Sequence, residues 1–98
     1  MNEVESSIDY LRNNGCKDIV LLHCVSCYPT QNSDLNLKCI QSMRTKFNID
    51  VGFSDHTIDY NASLYAVCLG ANYIGKHYTL DKNMEGPDHK ASLNPAEL

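Results

Sequence analysis

The stretch "IDVGFSDHTIDY", Ile49–Tyr60, sets an apolar, β-prone run directly against serine, aspartate, histidine and threonine, with no turn residue between them. Successive side chains of a strand alternate faces, so Gly52, Ser54 and His56 share one side while Phe53 and Asp55 take the other. Ser54 and His56 are therefore expected in one pocket, at the carboxyl end of a strand. On the amino side of this stretch, Leu35, Leu37, Ile40, Met43 and Phe47 recur at helical spacing, with Asn32 or Ser33 as the expected N-cap. Before that helix, "DIVLLHC", Asp18–Cys24, is short, continuous and apolar, as a parallel strand buried on both faces would be, and "YPTQNSD" follows it as a loop. The chain starts with a helical pattern over Asn2–Asn14 (Val4, Ile8, Leu11) that "NNG" ends with a residue suited to a left-handed cap.

Beyond the stretch, "IDYNASLYAVCLGA" predicts a well-packed third helix stopping at Leu69–Gly70, and "NYIGKHYTL" a third strand. Helix and strand thus alternate throughout, which predicts an α/β fold with a parallel sheet and active groups at the strands' carboxyl ends. In "NPAEL", Asn94 is an N-cap and Pro95 a first helical residue, so a further helix is expected to begin there. Three parallel strands leave open edges and an unburied face, so residues 1–98 are expected to be a piece of a larger sheet that is not stable alone.

The composition limits the chemistry. Of 98 residues, 43% are hydrophobic and 20% charged, the balance of a globular domain. A net charge of -4 without a lysine or arginine cluster argues against nucleic-acid and anionic-membrane partners and favours small-molecule chemistry. No apolar run approaches the roughly 20 residues that cross a bilayer. Five cysteines, an odd number, follow an acidic N-terminus without a secretory signal, which points to reduced thiols and a cytoplasmic location.

His56 and His77 lie one strand–helix–strand step apart, so adjacent strand ends can present both imidazoles. Such a pair suits a divalent metal, or two hydrogen-bonded structural histidines. "DKNMEGPDHKAS", Asp81–Ser92, is either a functional loop or plain Gly-Pro-Asp turn chemistry. Lys76 reads as a solvated lysine at a strand end more readily than as an anion partner. Cys24 and Cys27 form a C-x-x-C without a second pair, and Cys39 and Cys68 read as small core residues. His23 reads as a satisfied core histidine, and Pro29 holds Tyr28 extended.

Taken together, "LLHCVSCYPT", "VGFSDHTIDY" and "LGANYIGKHYTLDKNMEGPDHKASLNPAEL" resemble the sialic acid synthase family, the N-acetylneuraminate synthases and their legionaminic acid relatives. The resemblance covers nearly the whole chain. It implies a partial TIM (β/α)8 barrel, approximately the last three strands with their helices, from a cytoplasmic, homodimeric parent whose antifreeze-like domain follows the barrel. The implied reaction condenses phosphoenolpyruvate with N-acetylmannosamine or a related N-acetylated amino sugar, forms a nonulosonic acid and releases phosphate.

Residue by residue, the resemblance assigns His56 and His77 to a divalent metal, Mn2+ or Mg2+, Ser26 and Ser54 to the phosphate of phosphoenolpyruvate, and Tyr28 and Asp88 to the amino sugar. The metal would polarise the sugar's aldehyde oxygen while the alkene carbon of phosphoenolpyruvate attacks. No residue here is assigned as a general base. Gly75 stands where the family usually has a glutamate, on the strand face of His77. "GPDH" favours the N-acetylneuraminate or legionaminate branch over the pseudaminate branch. Two other readings are a non-catalytic or decayed α/β segment, and an unrelated metal-dependent hydrolase using His56, His77 and Asp88.

Overall fold

The computed structural model describes residues Met1–Leu98. Its elements run α1 (Asn2–Asn13), β1 (Val20–Cys24), a 3₁₀ turn (Asn32–Asp34), α2 (Lys38–Phe47), β2 (Asp50–Asp55), α3 (Asn61–Cys68), β3 (Ile74–Lys76) and a second 3₁₀ turn (His89–Ala91). The three strands form one parallel sheet in the order β1-β2-β3. Each crossover steps to the next strand in the same direction, so right-handed connections place α2 and α3 on the same side of the sheet. A segment of a (β/α) barrel has this one-way order.

One core fills the helix side. Val51 and Phe53 of β2 pack with Leu35, Ile40, Met43, Ala62, Ala66 and Ala71. Leu21 and His23, in register with Val51 and Phe53, face the same way. His23 Nε2 donates a 2.7 Å hydrogen bond to the Leu35 carbonyl, and the ring stacks on Phe53, the satisfied histidine expected. The other side of the sheet is open: Val20 and Leu22 are 39% and 52% exposed. The expectation that β1 is buried on both faces is therefore wrong for this chain, because nothing packs against that face.

Helix ends follow local chemistry. Gly15 (φ +88) and Gly70 (φ +97) close α1 and α3, and in both the next residue's N–H returns to the carbonyl five residues back, Cys16 to Leu11 and Ala71 to Ala66. The second helix starts later than expected. Asn36 takes φ +45, which splits Asn32–Asp34 from α2, and Leu37 sits at the N-cap without a side-chain bond. Helix α3 is also less packed than expected: only Ala62 and Ala66 are buried, while Leu64, Tyr65, Val67 and Cys68 are exposed. Cys68 is thus a surface thiol, whereas Cys39 does pack against the core.

Strand β3 is only three residues long, and Tyr78 continues the sheet direction through an isolated parallel bridge to Leu93. Asn94 accepts the N–H groups of Ala96 and Glu97 while its own N–H donates to the Glu97 carboxylate, a reciprocal cap on a helical turn. The radius of gyration is 14.9 Å, against roughly 13 Å for a self-contained domain of this length. The chain is correspondingly open, with 17 of its 98 residues buried.

Candidate functional site at the strand ends

Cys24 and Ser54 are register partners across β1 and β2, and Ser54 faces Gly75 across β2 and β3. These three share the open side of the sheet. His56 and His77 each lie just past the last residues of β2 and β3, so both imidazoles emerge on that side at the carboxyl ends. Their ring centroids are 5.8 Å apart. Tyr28 packs against both, at 4.5 Å from His56 and 4.8 Å from His77. The loop after β1 carries it there, with a cis Tyr28–Pro29 peptide bond.

His56 is oriented by the backbone. Its Nδ1 lies 2.9 Å from the Val25 carbonyl, which can only accept, so Nδ1 carries the proton and the Nε2 lone pair is free. Ser54 Oγ is 3.5 Å from Nε2, and Cys24 Sγ is 3.8 Å from both ring nitrogens. His77 Nδ1 lies 3.8 Å from an Asp88 carboxylate oxygen. A neutral imidazole with its other ring nitrogen turned toward a carbonyl or carboxylate has the environment of a metal-ligating histidine. The donor chemistry therefore fits a divalent ion held by His56 and His77. No third histidine, cysteine, aspartate or glutamate completes a metal-holding group within this chain.

The Tyr28 hydroxyl is buried and has no hydrogen-bond partner. Burial, then the negative charges of Asp88 and Asp55 and the nearby Cys24, push the phenol up to about 12. It is a neutral donor at neutral pH. An unmet buried hydroxyl costs about 1–3 kcal/mol, so an oxygen-rich molecule that accepts from it recovers that cost.

The cluster thus contains His56, His77, Tyr28 and Ser54, with Asp88 at its edge. Ser26 is exposed on the loop and makes no side-chain hydrogen bond to any of them. Cys24, read from the sequence only as half of a C-x-x-C without a second pair, touches His56, and Lys76 was misread. The Lys76 side chain is only 6% exposed: it lies 3.4 Å from the buried Asp55 carboxylate and donates to the Thr57 carbonyl. It is not a solvated lysine, because its strand position puts it on the helix side, directly opposite Asp55 in register.

A parallel, one-sided βα array with polar groups gathered at the carboxyl ends of its strands is the architecture of a (β/α)-barrel enzyme segment. The profile of the NeuB family matches residues 1–98, and the chain belongs to that family. It is 53% identical over 100 residues to N,N'-diacetyllegionaminic acid synthase of Campylobacter jejuni, covering all of this chain and 30% of that one. It is 43% identical over 99 residues to N-acetylneuraminate-9-phosphate synthase of Drosophila melanogaster, covering all of this chain and 27% of the relative. The crystal structure of the spore coat polysaccharide biosynthesis protein spsE of Bacillus subtilis superposes with a TM-score of 0.95 at 38% identity, over 99% of this chain and 28% of that one. The chain spans less than a third of the length of these relatives. No helix is long and apolar enough to cross a membrane.

Proposed function

We propose that residues 1–98 form the part of a nonulosonic acid synthase barrel that carries its metal and half of its substrate contacts, approximately the last three strands. The reaction joins phosphoenolpyruvate to an N-acetylated amino sugar and releases phosphate, in a cytoplasmic homodimer. The observation that carries this reading is the Tyr28–His56–His77 cluster, two imidazoles 5.8 Å apart on adjacent strand ends with an unpartnered buried phenol against both.

Each residue of the cluster has a role its geometry supports. His56, with Nδ1 fixed by the Val25 carbonyl, presents Nε2 to Mn2+ or Mg2+, and His77 supplies the second imidazole. A bound divalent ion would polarise the sugar's aldehyde oxygen. Ser54 faces the same side and orients the phosphate of phosphoenolpyruvate, with Ser26 on the neighbouring loop as a second hydroxyl. The Tyr28 phenol donates to a sugar oxygen, and Asp88 accepts from sugar hydroxyls while steering His77. No residue here is assigned as a general base.

The test is calorimetric titration of Mn2+ into the full-length protein, wild type against His56→Ala and His77→Ala, with and without phosphoenolpyruvate. Loss of binding in both variants is expected. Wild-type affinity in either variant removes that histidine from the site. Absence of Mn2+ binding in the wild type favours a second reading, a non-catalytic homologue, for which the missing side chain at Gly75 is the structural motive.

A further inference from the structure

The helix side of the sheet, behind the histidine cluster, holds the least expected group in the molecule. Asp55 is fully buried beside Phe53 and Val51 in the apolar core phase of β2. The contacts of its Oδ1 lead to neighbours of the cluster, and that of Oδ2 ties it to α3. Oδ1 accepts from the Thr57 N–H at 2.8 Å and from the Thr57 hydroxyl at 2.7 Å, which wraps the backbone around His56. Oδ2 accepts from the Ser63 hydroxyl of α3 at 2.5 Å. Lys76, one residue before His77, lies 3.4 Å from Oδ1 and donates to the Thr57 carbonyl, one residue after His56.

The positions matter as much as the bonds. Asp55 and Lys76 are direct register partners across β2 and β3, and each immediately precedes one of the two imidazoles. Alternation sends the charges to the helix side and the imidazoles toward the open side. A buried ion pair of this kind is a poor source of stability, since apolar side chains of similar volume usually do as well. What it supplies is direction: it clamps the two strand ends together and fixes the backbone from which both imidazoles project.

We propose that Asp55 and Lys76 are positioning residues for the His56–His77 pair, and that their interaction sets the imidazole spacing and the His56 tautomer. The proposal builds on the metal reading above, but its first readout does not need a metal. Without the clamp, the 55–57 turn loosens, the Val25 carbonyl no longer holds His56 Nδ1, and both tautomers are populated.

The test uses the full-length protein with Asp55→Asn, Lys76→Met and the double variant. Asparagine keeps an oxygen for the Thr57 N–H, and the double variant leaves no unpaired buried charge, so it folds even where a single change does not. Metal-free imidazole proton–nitrogen correlation spectra at one neutral pH should show a single Nδ1–H tautomer for His56 in the wild type and a mixture in the folded double variant. Titration with Mn2+ alone should show affinity reduced roughly 10- to 100-fold, the range for lost outer-shell support. A folded double variant with the wild-type tautomer and wild-type Mn2+ affinity overturns the proposal. If the wild type binds no Mn2+, the metal reading fails by itself, and an unchanged tautomer in the double variant still overturns the positioning role. Lys76→Arg, which retains the charge, should restore both readouts when the clamp is what matters; failure to restore either counts against it.

Discussion

Gly52 of β2 lies against the Tyr73 backbone just before β3, and replacing it with alanine tests whether that approach requires glycine. A Cβ there would clash with the Tyr73 carbonyl oxygen and lie 2.7 Å from Tyr73 Cβ and 2.8 Å from Leu22 Cδ2. Leu22 can rotate, but the Tyr73 carbonyl cannot retreat, because it accepts the Phe53 N–H at 2.8 Å beside the Asn72 N–H to Val51 carbonyl bond at 3.0 Å. Overpacking costs about 1–3 kcal/mol, and loss of one of these backbone bonds adds about 1 kcal/mol. Gly52→Ala is therefore expected to lose about 2–4 kcal/mol in a urea melt of the full-length protein, a large part of a typical domain's 5–15 kcal/mol. Gly75→Ala is the control, since its Cβ meets only Ser54 Oγ at 3.8 Å and Ser54 Cα at 3.9 Å. It should change stability by less than about 0.5 kcal/mol. Gly52→Ala within that same margin, or equal losses in the two variants, would refute the close-approach reasoning.

The room at Gly75 also allows Gly75→Glu, which places a carboxylate on the open face beside Ser54 and His77; on the proposed metal reading Mn2+ affinity should rise about 10-fold, and an unchanged calorimetric titration would mean that this position does not reach the ion. Glu97 is held below its ordinary carboxyl value, first by its hydrogen bond with Lys82 and then by the Asn94 N–H. Its folded pKa lies below the unfolded one, so whatever this turn gains from the charge is present above the ordinary value of 4.5 and lost as pH falls through the folded value. Carboxyl-detected NMR titration should show that depression in the wild type and a return toward 4.5 in Lys82→Ala; identical titrations would exclude the pairing.

The order of the strands and the polar character of their ends were legible because they rest on local signals. Apolar runs bounded by glycine and asparagine mark β1, β2 and β3, and two-residue alternation alone puts Ser54 with His56. Tyr28 and Asp88 owed their assignment to family resemblance; Tyr28 lies against both histidines and Asp88 near His77. What could not be read depends on what stands across from a residue. The exposed Leu64, Tyr65 and Val67 of α3 look like core in a periodicity argument, because periodicity finds an apolar face without knowing whether anything covers it. Lys76 was misjudged for a related reason: its solvent exposure turns on the 55–76 register, and spacing gives strand order but not the offset between strands. The available warning was Asp55, a carboxylate in the same phase as Val51 and Phe53, which requires a buried partner.

Alternation explains why both faces of these strand ends had to be polar. A side chain aimed at the open side is only as well placed as the backbone that carries it, and the last residues of a strand have lost the ladder on one flank. At β3 the ladder ends at Lys76, one residue before His77, and at β2 it ends at Asp55, one residue before His56. Leucine at both positions would bury more apolar area, yet dispersion contacts are non-directional and tolerate sliding of one strand end past the other. A carboxylate that accepts from Thr57 and Ser63 and pairs with Lys76 is held in one direction. The polar residues of "GFSDHT" therefore divide by face: Ser54 and His56 toward the open side and the proposed site, Asp55 and Thr57 toward the bonds proposed to hold those two in place.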